Sequence, residues 1–185
     1  LDDAARDGRV SMLADPEFQA AKVEATHPLS HNESVTPKGE QTEIAASRVI
    51  PTDGLPDFAK SMIGPKLRVT ETIVWSRGSA DGSRTGTIHI AIGDAPVSMT
   101  GTLKLAPGGA GTRIDVDGDL KASIPLFGGK VEKAAAPAVI DALRSEQRTG
   151  NAWLSERAGP PARRWARLLA EAGPAPYVLG GVMPV

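Results

Sequence analysis

The hydrophobic period of this chain changes twice, and that change limits what it can fold into. From about residue 33 to residue 122 apolar residues recur at every second position, and on both sides they recur at helical spacing. A period of two gives a strand one dry and one wet face, whereas a period near 3.6 gives a helix one dry stripe. In Gln41 to Ile50, Ile44, Ala46 and Ile50 share a face that Arg48 interrupts. Leu67, Val69, Ile73 and Trp75 then alternate with Arg68, Thr70, Thr72 and Ser76, and Ile88, Ile90 and Ile92 with Thr87, His89 and Ala91. Val97, Met99, Leu103 and Leu105 form the next dry face, and Ile114, Val116 and Leu120 the last, opposite Asp115, Asp117 and Asp119. The loops at 76–83 and 107–111 are short, so the runs describe an antiparallel meander of about six strands.

Before the meander, Val10, Leu13, Phe18, Ala21 and Val23 have helical spacing, with Asp15-Pro16 as an N-cap and first helical residue dividing two short helices. His27-Pro28 breaks that pattern, and Leu55 to Ile63 reads as a short helical insert. After the meander, Val131, Ala135, Ala138, Ala142 and Trp153 fall on one stripe of a long helix ending near Glu156, with a kink or restart expected at Pro137. Ala162 to Ala172 reads as a second short helix, followed by an apolar end. The domain reading is a leader over 1–8, one domain over 9–158 and a tail over 159–185.

A bent sheet must bury its dry face, and the long amphipathic helix is the available cover. The fold class is therefore α+β, a curved antiparallel sheet of about six strands around a long C-terminal helix. Gly101, Gly118, Ala46 and Ala122 lie on the dry face, and the chain has only three Trp, three Phe and one Tyr. Small linings leave a cavity between sheet and helix; the alternative is that the helix sinks in and fills it.

Composition excludes several classes. There are no cysteines, so disulfides, thiolate catalysis and cysteine zinc sites are out, which fits a cytoplasmic setting. Lys plus Arg is 21 against 22 Asp plus Glu, giving no overall pull toward nucleic acid. No segment reaches the roughly 18 apolar residues of a membrane span, and Leu1-Asp2-Asp3 is acidic where a secretory signal is basic. No phosphate loop, dinucleotide fingerprint, zinc-protease motif or nucleophile elbow occurs. No cofactor is expected.

The stretch from Met12 to Arg157 resembles an uncharacterised bacterial family within the START-like, or helix-grip (SRPBCC), superfamily. The resemblance rests on Pro51-Thr52-Asp53-Gly54-Leu55-Pro56, Gly64 to Thr72, Trp75, Gly93-Asp94-Ala95-Pro96-Val97, and Ile124 to Glu132 with its Pro-Leu-x-Gly-Gly-Lys-x-Glu junction. It implies a helix-grip fold and a hydrophobic-ligand role, without catalytic residues. Helix-grip proteins begin with an edge strand that Leu1 to Gly8 is too short and polar to supply, which leaves an edge unpaired. The reading adopted for this is a misplaced start and a disordered tail; the alternative is that Pro176 to Val185 folds back over the edge.

Two charges interrupt the dry faces, Arg48 and Glu71. Either they meet inside and orient the polar head of an apolar ligand, or strand twist turns them outward. His89 reads as a surface residue. His27 and His31 are four apart, but Pro28 opposes a helix there, so no metal site is assigned. Asp115 to Asp119 lacks the glycine and glutamate of a calcium loop. Arg163, Arg164 and Arg167 beside Trp165 allow weak membrane-surface contact by the tail. The function expected is binding of a hydrophobic small molecule or lipid, without catalysis. The candidate walls are Val69, Ile73, Ile90, Met99, Leu103, Val116, Leu120, Val139 and Leu143, with Arg48 and Glu71 as polar contacts. The alternatives are a cyclase-like or hydrolytic enzyme with Glu71 as general base, or a ligand-free interaction subunit. Oligomeric state is not legible.

Overall fold

A computed structural model of the chain describes residues 12–53, 55, 57–93, 95–108, 111–157 and 178–180. A helical turn at Met12-Leu13 precedes α1 (Pro16–Glu24), and Asp15 between them caps α1 by accepting a 2.9 Å bond from the Glu17 amide. With Pro16 at the first helical position, this is the start the sequence predicts. Beyond α1 the chain turns at His27, whose φ is 50°.

Strands β1 (Ser30–Lys38), β2 (Gln41–Pro51), β3 (Lys66–Trp75), β4 (Arg84–Ile92), β5 (Val97–Gly108) and β6 (Gly111–Ala122) follow, with α2 (Asp57–Ile63) between β2 and β3. Each strand pairs antiparallel with its chain neighbour, so sheet order equals sequence order. The alternation read from the sequence holds: Leu67, Val69, Glu71, Ile73 and Trp75 of β3 are buried, and the residues between them face outward or are half-buried. Gly101 and Gly118 face each other across β5 and β6. A Cβ on Gly101 would collide with the Asp117 backbone, whereas one on Gly118 would collide with the end of the Met99 side chain. The first glycine admits a neighbouring strand, and the second lets Met99 lie down over it.

One long helix, α3 (Gly128–Arg157), crosses the dry face. The expected break at Pro137 does not occur. Pro137 cannot donate to the Lys133 carbonyl, but both residues are exposed, so water can satisfy that carbonyl and the helix runs on. At the junction before α3 the left-handed residue is Leu126 (φ 67°), not a glycine; Gly128 is needed because a Cβ there would strike the Ala122 carbonyl.

A short strand, β7 (Val178–Gly180), runs parallel to β6, pairing Arg113 with Val178 and Asp115 with Gly180. At residues 178–180 this departs from the expectation of a disordered tail. Unsatisfied N–H and C=O groups on the outer edge of β6 favour any strand that can reach them. The other tail features, including Arg163, Trp165, Arg164 and Arg167, lie outside the described residues, as does the leader.

The core is not uniform along α3. Around the C-terminal half, Met12, Leu13 and Phe18 pack with Trp153 and Leu154 against Ile44, Ile73, Trp75, Leu103, Leu105, Ile114 and Val116. Phe18 is fully buried and meets Trp153 edge-to-face at 5.6 Å. The Arg157 guanidinium stacks 3.2 Å from the Trp153 ring centre and pairs with Glu17 at 3.0 Å, tying the end of α3 to the start of α1. The other half of α3 is different.

Candidate functional site

Between the first half of α3 and the sheet lies a cavity of about 580 Å³. Its size follows from residue volumes: α3 turns Ala134, Ala135, Ala138 and Ala142 toward it, and alanine is too short to reach the strands. Val69, Ile90, Met99 and Leu120 form the sheet wall, Val139 and Leu143 complete the helix wall, and Leu55 and Ile63 close the end near α2. A second hollow of about 840 Å³ shares Leu67, Ile92, Val97 and Val131 with it, but the polar residues there, Ser30, Lys66 and Arg68, are exposed. The first hollow is the one that holds buried charge.

Those charges come from four elements. Lys22 of α1 donates to Glu71 Oε1 of β3 at 2.6 Å, and its Nζ lies 3.8 Å from Glu146 Oε2 of α3. Arg48 Nη1 of β2 is 3.7 Å from Glu71 Oε2. Arg48 pairs with Val69 across the β2–β3 ladder and Glu71 with Ala46, so the two are diagonal neighbours on the same face, within reach for long side chains. Lys22 and Glu71 are buried, and the Arg48 side chain is 11% exposed.

Burial disfavours every charge here, and partners decide the outcome. For Glu71 the cost of burial is outweighed by Lys22 and Arg48, which hold its carboxyl below the ordinary range. For Lys22 burial is likewise outweighed, by Glu146 and Glu71, and its ammonium is held above its ordinary value. Glu146 is pushed up by burial, and repulsion from Glu71 adds to this; the attraction of Lys22 does not offset them. The two carboxyls are thus shifted in opposite directions, Glu71 down and Glu146 up.

Of the residues expected at the site, Arg48, Val69, Glu71, Ile90, Met99, Leu120, Val139 and Leu143 border this cavity. Ile73, Leu103 and Val116 do not: they lie toward the filled end, packed in the core with Phe18 and Trp75. They share a strand face with the wall residues, and face alone cannot tell which end of a sheet stays open. Arg48 and Glu71 do point inward. Sequence reasoning missed Lys22 and Glu146. A signal for each was present: Lys22 lies four residues after Phe18 on the buried face of α1, and the stripe through Ala138 and Ala142 continues to Ser145 and Glu146. His89 is exposed, as expected, and His31 bonds Glu33 at 2.9 Å.

An open six-stranded antiparallel sheet covered by one long C-terminal helix, with charge buried beside a hollow, defines an α+β protein with an internal cavity. The chain belongs to the family described as protein of unknown function DUF2505, whose model matches residues 3–154. No curated protein and no solved structure matches it. Among the described residues no helix is long and apolar enough to cross a membrane, and no three His, Cys, Asp or Glu side chains cluster as metal ligands.

Proposed function

We propose that the protein binds a hydrophobic small molecule or lipid in the cavity between the sheet and α3, in the manner of helix-grip proteins. The observation that carries this reading is the cavity itself: about 580 Å³, walled by Val69, Ile90, Met99, Leu120, Val139 and Leu143, with a few charged residues among an otherwise apolar lining. That volume lies within the range of small-molecule sites, and apolar walls with few polar groups are their usual chemistry. Burial of apolar ligand surface, at about 25 cal/mol per Å² before association costs, supplies the driving force.

A general-base role for Glu71 is poorly supported. Its carboxylate is committed to Lys22 and Arg48 and held in its anionic form, which makes it a weak proton acceptor. The remaining reading, a ligand-free interaction subunit, is separated from binding by experiment.

The test is native mass spectrometry of the purified chain, with denaturing extraction of anything bound, followed by titration with Nile red. An adduct that extracts as an apolar molecule, or saturable dye binding that Ala142→Leu removes, is expected. A clean apo mass together with dye binding unaffected by Ala142→Leu overturns the reading.

A further inference from the structure

Within the cavity just described, and resting on that reading, the arrangement of charges selects among apolar ligands. We propose that the ligand is an amphipathic acid whose carboxylate head is received by Arg48, with its chain lying along the alanine face of α3.

The buried cluster contains two cations, Lys22 and Arg48, and two carboxyl groups, Glu71 and Glu146. They are not symmetrically matched. Lys22 takes Glu71 at hydrogen-bond length, 2.6 Å, and has Glu146 on its other side at 3.8 Å. Arg48 is left with one oxygen of an already bonded carboxylate at 3.7 Å, beyond hydrogen-bond reach. A guanidinium carries five N–H donors in a rigid fork and cannot shed its charge. Among the described residues it meets no closer carboxylate, and it borders the cavity. Glu146 makes its ion pair with Lys22, not with Arg48. The cluster thus leaves its spare donors on Arg48, at the cavity wall.

A neutral apolar ligand would cover Arg48 and leave those donors unmatched, at a cost that rises as water is expelled. A carboxylate supplies two oxygens at the spacing of the fork and one negative charge, so the same burial becomes favourable. The head site lies beside the filled end of the domain, and the alanine stripe runs from it toward Leu55 and Ile63. A head-inward acid with an extended apolar tail fits that axis.

The experiment compares decanoic acid, decanol and methyl decanoate by calorimetric titration or Nile red displacement, in the wild-type chain and in Arg48→Met. The wild type should bind the acid at least tenfold more tightly than either neutral analogue. Arg48→Met should bring the three within about twofold by weakening the acid and not the alcohol. The wild-type comparison needs no variant, so a poorly folding Arg48→Met leaves the proposal open to refutation. Equal affinity of acid and alcohol in the wild type overturns the head-group assignment and leaves the cavity reading standing. Failure of all three to bind, with Nile red also unbound, overturns the cavity reading itself. Acid preference unchanged in a folded Arg48→Met overturns the assignment to Arg48.

Discussion

The two halves of the α3–sheet interface share a sheet, a helix and a strand alternation, yet one is packed and the other hollow. At the packed end the sequence places Phe18, Trp153, Leu154, Met12 and Trp75; at the hollow end the helix offers Ala134, Ala135, Ala138 and Ala142. A continuous amphipathic stripe therefore does not by itself specify a filled core. The volume of the stripe residues decides whether two layers held at a fixed distance touch. The packed end holds the layers together, and the alanine face leaves a gap between them. Lys22, four residues beyond Phe18 on α1, meets Glu71 and Glu146 where one regime passes into the other, and Arg48 lies beside Glu71.

If the packed end carries the stability, truncation there should cost far more than truncation at the hollow end. Phe18→Ala is expected to lose about 3–5 kcal/mol, against roughly 1 kcal/mol for Leu143→Ala, by urea denaturation. Equal losses would erase the distinction between the ends.

The boundary cluster sharpens it further. Glu71→Gln leaves Lys22 and Arg48 buried without their shared carboxylate and should cost about 3–5 kcal/mol near neutral pH. The folded value of Glu71 is depressed, so its contribution is present above the unfolded value of about 4.5 and is lost as pH falls through the folded value. Glu146 has the opposite sign. Its folded value is raised, so its contribution is full below about 4.5 and is lost as pH rises through the folded value. Glu146→Gln should therefore be neutral or stabilising at neutral pH, with the difference from wild type closing in acid. Denaturation profiles of both variants against pH check these opposed trends; parallel profiles would contradict them.

Filling the hollow should be tolerated. Ala142→Leu is expected to change stability by no more than about 1–2 kcal/mol, in the stabilising direction, while removing the binding proposed above. The smallest effect belongs to Gly150, the buried α3 residue at the packed end. A Cβ there would make ordinary contacts, 3.5 Å from Met12 and 3.9 Å from Phe18, so Gly150→Ala should gain about 0.5–1 kcal/mol of helix stability. A measured loss would mean that the packed end is tighter than this geometry allows.

Much of this fold was legible because strand alternation is a local signal. The dry faces of β3, β5 and β6 were readable residue by residue, as were the Asp15-Pro16 start of α1 and the extent of α3. What was not legible depends on neighbours distant in sequence. Whether Pro137 breaks a helix turns on whether Lys133 can reach water. Whether Ile73 or Val69 borders a hollow turns on which part of α3 lies above it. Arg48 and Glu71 stood out as charges on apolar faces, but their partners Lys22 and Glu146 lie on helices whose rotation over the sheet only tertiary packing sets. β7 was weighed only as an alternative, since three residues carry no period of their own.

Because sheet order equals sequence order, most of the sheet can assemble without long searches of conformational space. The β1–β2, β3–β4, β4–β5 and β5–β6 pairs are each closed by a short connection, and β2–β3 by residues 52–65, which contain α2, so the entropy of loop closure stays modest at each step. Such low contact order favours rapid pairing, hairpin after hairpin, as the chain leaves the ribosome. The β6–β7 pair joins Arg113 to Val178 and must wait for the whole of α3. The cavity thus has no helix wall until a sheet already paired from β1 to β6 receives α3.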